Sequence, residues 1–435
     1  MSSYLAEYQR KLTTPQKAVE LIKSGDTIIP SPLTAEPPAM LSAIADRARA
    51  GDLRDITVYC LIPKEHIANT ILAPDLADVI QVNAWFVGSK DRPRVKVGLN
   101  YFVPNHFHQV PRLIREFMKV DVTIATVSPM DKGGYFTFGT NNDFITTAAR
   151  HCQTLIVEVN RNMPRVFGDS LLHISEVDAI VENDAPLIEM PPEEMRPEDA
   201  VIGEYIADLV PDGAVLQLGV GSIPNAVTLL LMDHKDLGIH TELFCPGIMD
   251  LIVNGAVTGM RKTLHPMKSI FTNAMGTREM YDFINDNPSI ESHPVSYTND
   301  PAVIAQNDNM VSISSILEVD LTGQCNAETL AGYQYSGTGG QLDFVRGAFA
   351  ARGGKSFLAF YSTAKGGLVS RVVPRIPEGN VVTTPRMDTH YLVTEYGVVN
   401  LKGKSTRERA LDIISIAHPW FRDDLLREAE NMYLI

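Results

Sequence analysis

Short apolar runs alternate with amphipathic stretches from one end of the chain to the other, and this alternation limits the possible folds more than any other feature. Strands and helices that take turns imply parallel sheets with helical crossovers, the α/β class. Candidate strands are DTIIP (26–30), DITVYCLI (55–62), DVTIATVS (121–128) and TLIVEVN (154–160) in the first half. The second half offers AVLQLGV (214–220), IHTELFC (239–245), MVSISSILEVDL (310–321), SFLAFYS (356–362) and HYLVTEYG (390–397). Between strands, PAMLSAIADRARA (38–50) and NAVTLLLMDHKDL (225–237) place apolar residues at three- and four-residue spacing, as half-buried helices do.

A chain of 435 residues is long enough for two domains of ~100–200 residues each. The segment NDAPLIEMPPEEMRPED (183–199) is rich in proline and acid and has no periodicity. Proline removes a backbone donor and biases the preceding residue away from helix. The pattern predicts domains over 1–185 and 201–435 with a linker over 186–200. The halves echo each other: a helix, then GDTIIP, a loop and a helix in the first; IGEYIADLV, then DGAVLQLGV, the loop GSIP and a helix in the second. Two similar α/β domains facing each other are expected, with a ligand cleft between them.

Composition narrows the function. Hydrophobic residues are 45% and charged residues 21%, the balance of a globular protein. There is no apolar run of about 18 residues and no signal core, so neither a membrane span nor an export signal is expected. Cys60, Cys152, Cys245 and Cys325 are scattered without a CxxC pair, which argues against zinc and disulfides and fits the reducing cytoplasm. A net charge of −14 weighs against nucleic acid and acidic membranes as partners, but not against a small polyanion held by a local cluster of donors.

Three glycine-rich turns carry the chemistry. In LGVGSIPNAV (218–227), Gly219 and Gly221 let the backbone approach a ligand, Ser222 can cap a helix and Pro224 suits its first turn. Amides at such a helix start favour phosphate or an oxyanion; a plain βα turn has the same sequence. A dinucleotide fingerprint is not met, because Pro224 occupies the third glycine position. The second turn is YSGTGGQLDFVRGA (335–348), with Gly337, Gly339 and Gly340 and with Arg346 beyond; Lys355 follows. The third, STAKGGLVSRVVP (362–374), sets Lys365 on a small-residue turn suited to a phosphate or a pantetheine carbonyl. Glu242 lies in IHTELFCPGIMD, an apolar run ending in Pro246-Gly247, and is either a buried ion-pair partner or a functional group. No metal site is expected: HExxH is absent, and His106-Phe107-His108 reads as a strand or loop edge. No GxSxG elbow appears, and Ser362 lacks an evident base.

Together, LGVGSIPNAV, HTELFCPGIMDL, SGTGGQLDFVRGA and TEYGVVNLKGKSTRERALDIISIAHPWFRDDL (394–425) resemble the acetyl-CoA hydrolase/transferase family. Its members include 4-hydroxybutyrate CoA-transferase and butyryl-CoA:acetate CoA-transferase. The first half agrees in SGDTIIP (24–30), YFVPNHFHQVPRLI (101–114), SPMDKGGYFTFGT (128–140) and EVNRNMPRVFGDSLLHISEVDAIVE (158–182), so the resemblance covers nearly the whole chain. It implies paired CoA-transferase (NagB/RpiA-like) α/β domains with the active site between them, and a glutamate that becomes covalently attached to CoA. That glutamate matches Glu242. The CoA-contacting positions match Gly219, Val220, Gly221, Ser222 and Ile223, then Gly339-Gly340, then Lys365. The chain departs from the family at Phe244-Cys245-Pro246-Gly247, where an SDG-like segment is common, and at SPLTAEPP (31–38), where glycine-rich residues are frequent.

The implied activity is exchange of coenzyme A between short-chain acids such as acetate, butyrate and 4-hydroxybutyrate, or a dicarboxylate such as succinate or itaconate. Acyl-CoA is then substrate rather than resident cofactor, Val220 and Gly340 are the oxyanion-binding amides, and a homodimer or homotetramer is expected. Hydrolysis of acyl-CoA by the same glutamate, or acyl-CoA binding without turnover, are the alternatives. Arg92, Arg94, Lys96, His106 and His108 cluster in sequence and are either surface residues or a binding place for a second carboxylate.

Overall fold

The computed structural model describes residues 3–219 and 221–435. The chain divides into two compact units, one formed by residues 1–191 and 270–298, the other by 192–269 and 299–435. The segment 270–298, read above as part of the second half, packs with the first unit.

The first unit is built on seven strands: β1 (Thr27–Pro30), β2 (Ile56–Leu61), β3 (Ile80–Phe86), β4 (Asn100–Phe102), β5 (Val122–Val127), β6 (Thr154–Val159) and β7 (Ala179–Glu182). They form one all-parallel sheet in the order β7-β6-β5-β1-β2-β3-β4. Strands covered on both faces read as largely apolar runs, and every residue of β5, its two threonines included, is buried. Helix α1 (Pro38–Arg49) starts with proline at its first turn, and its leading amides, those of Ala39 and Met40, are accepted by the buried Glu158 carboxylate at 3.2 and 3.0 Å.

The second unit repeats this plan with β8 (Val215–Leu218), β9 (Gly238–Ile239), β10 (Met310–Ser315), β11 (Lys355–Ala359), β12 (Tyr391–Thr394) and β13 (Gly397–Asn400). The order is β9-β8-β10-β11-β12-β13, parallel except for the closing β12–β13 hairpin. Helices α2 (Pro197–Ala207), α3 (Ser222–Leu230), α4 (Pro246–Val253) and α5 (Gln341–Ala350) complete what concerns the site. No helix among the described residues is long and apolar enough to cross a membrane.

In both units the first strand lies inside the sheet, with later strands on either side of it. The chain therefore leaves that strand in one direction and returns on the other, and ligands in such sheets bind beyond the carboxyl ends of the strands at this switch. In the second unit the switch falls between β8 and β10. The run 239–245 differs from the single strand expected: it breaks into β9 and a two-residue strand, Leu243–Phe244, with Glu242 in the bend between.

Candidate active site

The glycine turn leaves the end of β8. Gly219 still continues the ladder, its amide donating to the Ile313 carbonyl at 3.1 Å. Gly221 caps α3 at φ 124° and ψ 179°, a conformation open in practice only to glycine. Ser222 opens α3, while the Ile223 side chain, 5% exposed, turns into the core. Val220 lies outside the described residues.

Glu242 follows β9 in the same layer of loops. Its Oε2 accepts a 2.6 Å hydrogen bond from Nδ2 of Asn299, a fully buried residue. Gly340, the residue before α5, presses its α-carbon on this pair: a β-carbon there would stand 3.1 Å from Glu242 Cδ and overlap both Oε2 and Asn299 Nδ2. Two sequence candidates a hundred residues apart thus touch, and only a residue without a side chain fits against the carboxylate. Gly339 precedes it with φ 53°.

Phe244 and Cys245, at the departure from the family pattern, are packing residues. Phe244 is fully buried, and burial pushes the Cys245 thiol up to about 11. Pro246 opens α4, and Gly247 lets that helix approach α3, where a β-carbon would come within 2.6 Å of Thr228 Oγ1.

The third turn joins two short strands, Thr363–Ala364 and Val369–Ser370. Lys365 sits exposed at its start with φ 51°. It lines an open groove of about 660 Å³ together with Arg196, Tyr361, Arg371 and Glu395. Tyr361 ties this wall to the glycine turn: its hydroxyl donates to Asp199 at 2.6 Å, so the 3.1 Å contact with Ser222 Oγ has serine as donor. Asp199 is itself fully buried and accepts the Arg196 amide at 2.7 Å. Burial is the main reason the Tyr361 phenol lies above its ordinary value.

In the first unit, one member of the basic cluster serves the fold. Arg94 is buried and committed, its Nε donating to Asn100 Oδ1 at 3.0 Å and its NH1 to the Leu72 carbonyl at 3.2 Å. The rings of His106 and His108 stack at 6.1 Å. The segment 31–37 after β1 is entirely buried, with Leu33 at φ 57° and the Glu36 carboxylate accepting the amides of Lys64, His66 and Ile67 at 2.6–3.0 Å. Burial pushes Glu36 up to about 7 despite these amides.

Asn299, Asp199, Tyr361, Arg196 and Arg371 had no signal in the sequence. Asn299 stands in TNDP, a turn by composition, and Arg196 stands in the stretch read as linker; only tertiary contacts give either a role.

Comparison with known proteins identifies the family. Residues 1–190 match the acetyl-CoA hydrolase/transferase N-terminal domain and residues 276–429 the C-terminal domain. The chain belongs to the acetyl-CoA hydrolase/transferase family. A succinyl-CoA:cyclohexane-1-carboxylate CoA transferase of Geobacter metallireducens is 45% identical, covering 99% of this chain and 97% of its own. A 4-hydroxybutyrate coenzyme A transferase of Clostridium kluyveri is 42% identical over 98% and 99%. The crystal structure of RipA from Yersinia pestis superposes with a TM-score of 0.96 at 52% identity, with both chains covered completely. Hydrolase names belong to more distant relatives. This member of the family is a CoA-transferase.

Proposed function

We propose that the protein is an acyl-CoA:carboxylate CoA-transferase that works through a covalent thioester between coenzyme A and Glu242. The observation that supports this most is the half-buried Glu242 carboxylate, held by Asn299 against the bare backbone of Gly340.

A Glu242 oxygen attacks the thioester carbonyl, the C–S bond breaks, and a mixed anhydride and CoA thiolate result. The thiolate attacks the glutamyl carbonyl; the first acid leaves as its carboxylate and glutamyl-CoA remains. An incoming carboxylate then attacks the glutamyl thioester and expels the thiolate, which takes the new acyl group from the anhydride and frees Glu242. Every electron pair returns to a carboxylate or thiolate, and no net proton or water is consumed. Each attack passes through an oxyanion, for which the amides at Val220 and Gly340 are the proposed donors; one such donor contributes ~10²–10³ in rate. The bond from Asn299 fixes one carboxylate oxygen in place.

The acids served are short-chain carboxylates, a reading supported by the 4-hydroxybutyrate, butyrate, acetate and succinate transferases aligned over nearly the whole chain. The four free cysteines support work in a reducing cytoplasm. A homodimer or homotetramer is carried over from the family resemblance.

The test is chemical trapping. Protein incubated with acyl-CoA and quenched with borohydride or hydroxylamine should carry a modified Glu242 in peptide mass spectra, and protein treated without acyl-CoA should not. A Glu242 peptide of unaltered mass under turnover conditions would refute the assignment.

A further inference from the structure

Glu242 projects from a bend, and the strand that leads into the bend, β9, has only two residues. So short a strand has few ladder bonds to fix its course, and other contacts take their place. The buried Lys262 side chain donates from Nζ to the Ile239 carbonyl at 2.7 Å and to the Lys268 carbonyl at 2.6 Å. It packs so closely on β9 that a β-carbon on Gly238 would stand 2.4 Å from Lys262 Cγ. The His240 amide then makes a backbone rung to β8, donating to the Leu216 carbonyl at 3.1 Å.

One residue further the chain leaves the strand, and a side chain takes over. Thr241 is fully buried. Where the next rung of the ladder is due, its Oγ1 accepts the Leu218 amide at 3.4 Å, and its proton goes to the Leu243 carbonyl at 3.1 Å. The roles are fixed, because an amide can only donate and a carbonyl can only accept. One hydroxyl thus ties the residue before Glu242 to the residue after it, and both to the end of β8, where the glycine turn departs. The amide bond is long, yet removing the hydroxyl would leave a buried donor and a buried acceptor without this partner, which costs more than the bond itself contributes. Branching at the β-carbon restricts χ1 and keeps the hydroxyl aimed. Asn299 and Gly340 act on the carboxylate; Thr241 acts on the backbone that carries it.

We infer that Thr241 is a positioning residue for the transfer reaction, its hydroxyl bridging Leu218 and Leu243 to set the backbone from which Glu242 attacks. The inference rests on the proposed function, since it names a further support for that function's nucleophile.

Thr241→Val keeps the size and branching of the side chain and removes the hydroxyl. Thr241→Ser keeps the hydroxyl and loses a methyl group. A single turnover with excess acyl-CoA, quenched at intervals, gives the rate at which the Glu242 peptide becomes modified, and calorimetry with free coenzyme A gives the affinity. The valine variant should be labelled about 10–100-fold more slowly, the upper end being the cost of a displacement of roughly 1 Å, and the serine variant should stay within about threefold of the unsubstituted protein. Affinity for coenzyme A should be unchanged in both, because the aim of the carboxylate alters and the ligand's contacts do not. A merely structural loss would lower affinity and rate together. Should the valine variant fail to fold, Thr241→Ala against Thr241→Ser makes the same comparison, since both lack the methyl group and only alanine lacks the hydroxyl.

Labelling of the hydroxyl-free variant at the unsubstituted rate, a serine variant equally slow, or a loss of affinity as large as the loss of rate would overturn the inference. These outcomes separate from failure of the proposed chemistry. An unsubstituted protein that is never labelled on Glu242 removes the chemistry and this inference with it. A labelled Glu242 that is indifferent to residue 241 removes the inference alone.

Discussion

Gly340→Ala isolates the contact on which the proposed chemistry depends. The backbone there, at φ −88° and ψ 6°, is open to any residue, so the substitution adds no conformational strain. Its whole effect is the new methyl group, 3.1 Å from Glu242 Cδ and overlapping Oε2 and the Asn299 amide nitrogen. Asn299 is fully buried and has little room to yield, so the carboxylate must retreat by roughly 1 Å, and a misplacement of that size costs about 10²-fold in rate. The expected result is a loss of about 10²-fold or more in kcat/KM, about 2.7 kcal/mol of transition-state stabilisation. Steady-state exchange between an acyl-CoA donor and a carboxylate acceptor, followed by chromatography of both thioesters, measures it. The melting temperature should move little. Full activity in a folded Gly340→Ala protein would refute the reasoning, because Glu242 could not then be reacting from the position seen here.

Other substitutions extend the test. Asn299→Ala removes a 2.6 Å bond to the carboxylate, a charge-assisted interaction of about 1.5–3 kcal/mol, and should lower kcat about 10–100-fold; an unaltered kcat would deny Asn299 a part in positioning Glu242. Gly221→Ala meets no atom closer than 3.9 Å yet must adopt φ 124°, so it should cost about 1–3 kcal/mol in stability, read as a fall in melting temperature. Glu36 and Asp143, buried in the first unit, are both pushed up to about 7 by burial, against reference values of 4.5 and 3.8. The folded chain therefore keeps protons that the unfolded chain gives up, and the contribution of each group is full below about pH 4 and is lost as pH rises towards 7. Replacing Glu36 with Gln should flatten the change of melting temperature between pH 5 and 7.5; an unchanged slope would show that Glu36 does not titrate there.

The sequence shows the parallel sheets well where strands are covered on both faces, as in β5 and β6, because such strands are mostly apolar. It hides β3, whose Gln81 and Asn83 interrupt the apolar run, and β4, which is only three residues long. It misreads 239–245 as continuous, since nothing in HTE signals the bend that presents Glu242. Helix α3 ends at Leu230, short of the expected 237, and the chain then turns through Asp236 at φ 55°. Glu242 and Gly340 stand out as an acid in an apolar run and a glycine cluster, yet their contact needed the fold. Asn299 acts only through a neighbour distant in sequence, which no local pattern records. The cations of 92–108 stood out by type, but Arg94 proves to hold a loop together.

The excursion of residues 270–298 into the first unit affects how this protein can be divided. Its backbone is fitted there: Gly168 lies so close to Ser292 that a β-carbon would come within 2.5 Å of the Ser292 carbonyl, and the Ala274 amide donates to the Thr140 carbonyl at 2.7 Å. The first unit is thus completed by chain made long after its own sheet, and Asn299 is the residue at which the polypeptide returns to Glu242's unit. A single cut after residue 191 would leave one fragment without part of its interior and burden the other with Met280, Tyr281, Ile284 and Ile290, all buried in the intact protein. The halves resemble each other as architecture, but they are not modules that can be expressed or exchanged one at a time.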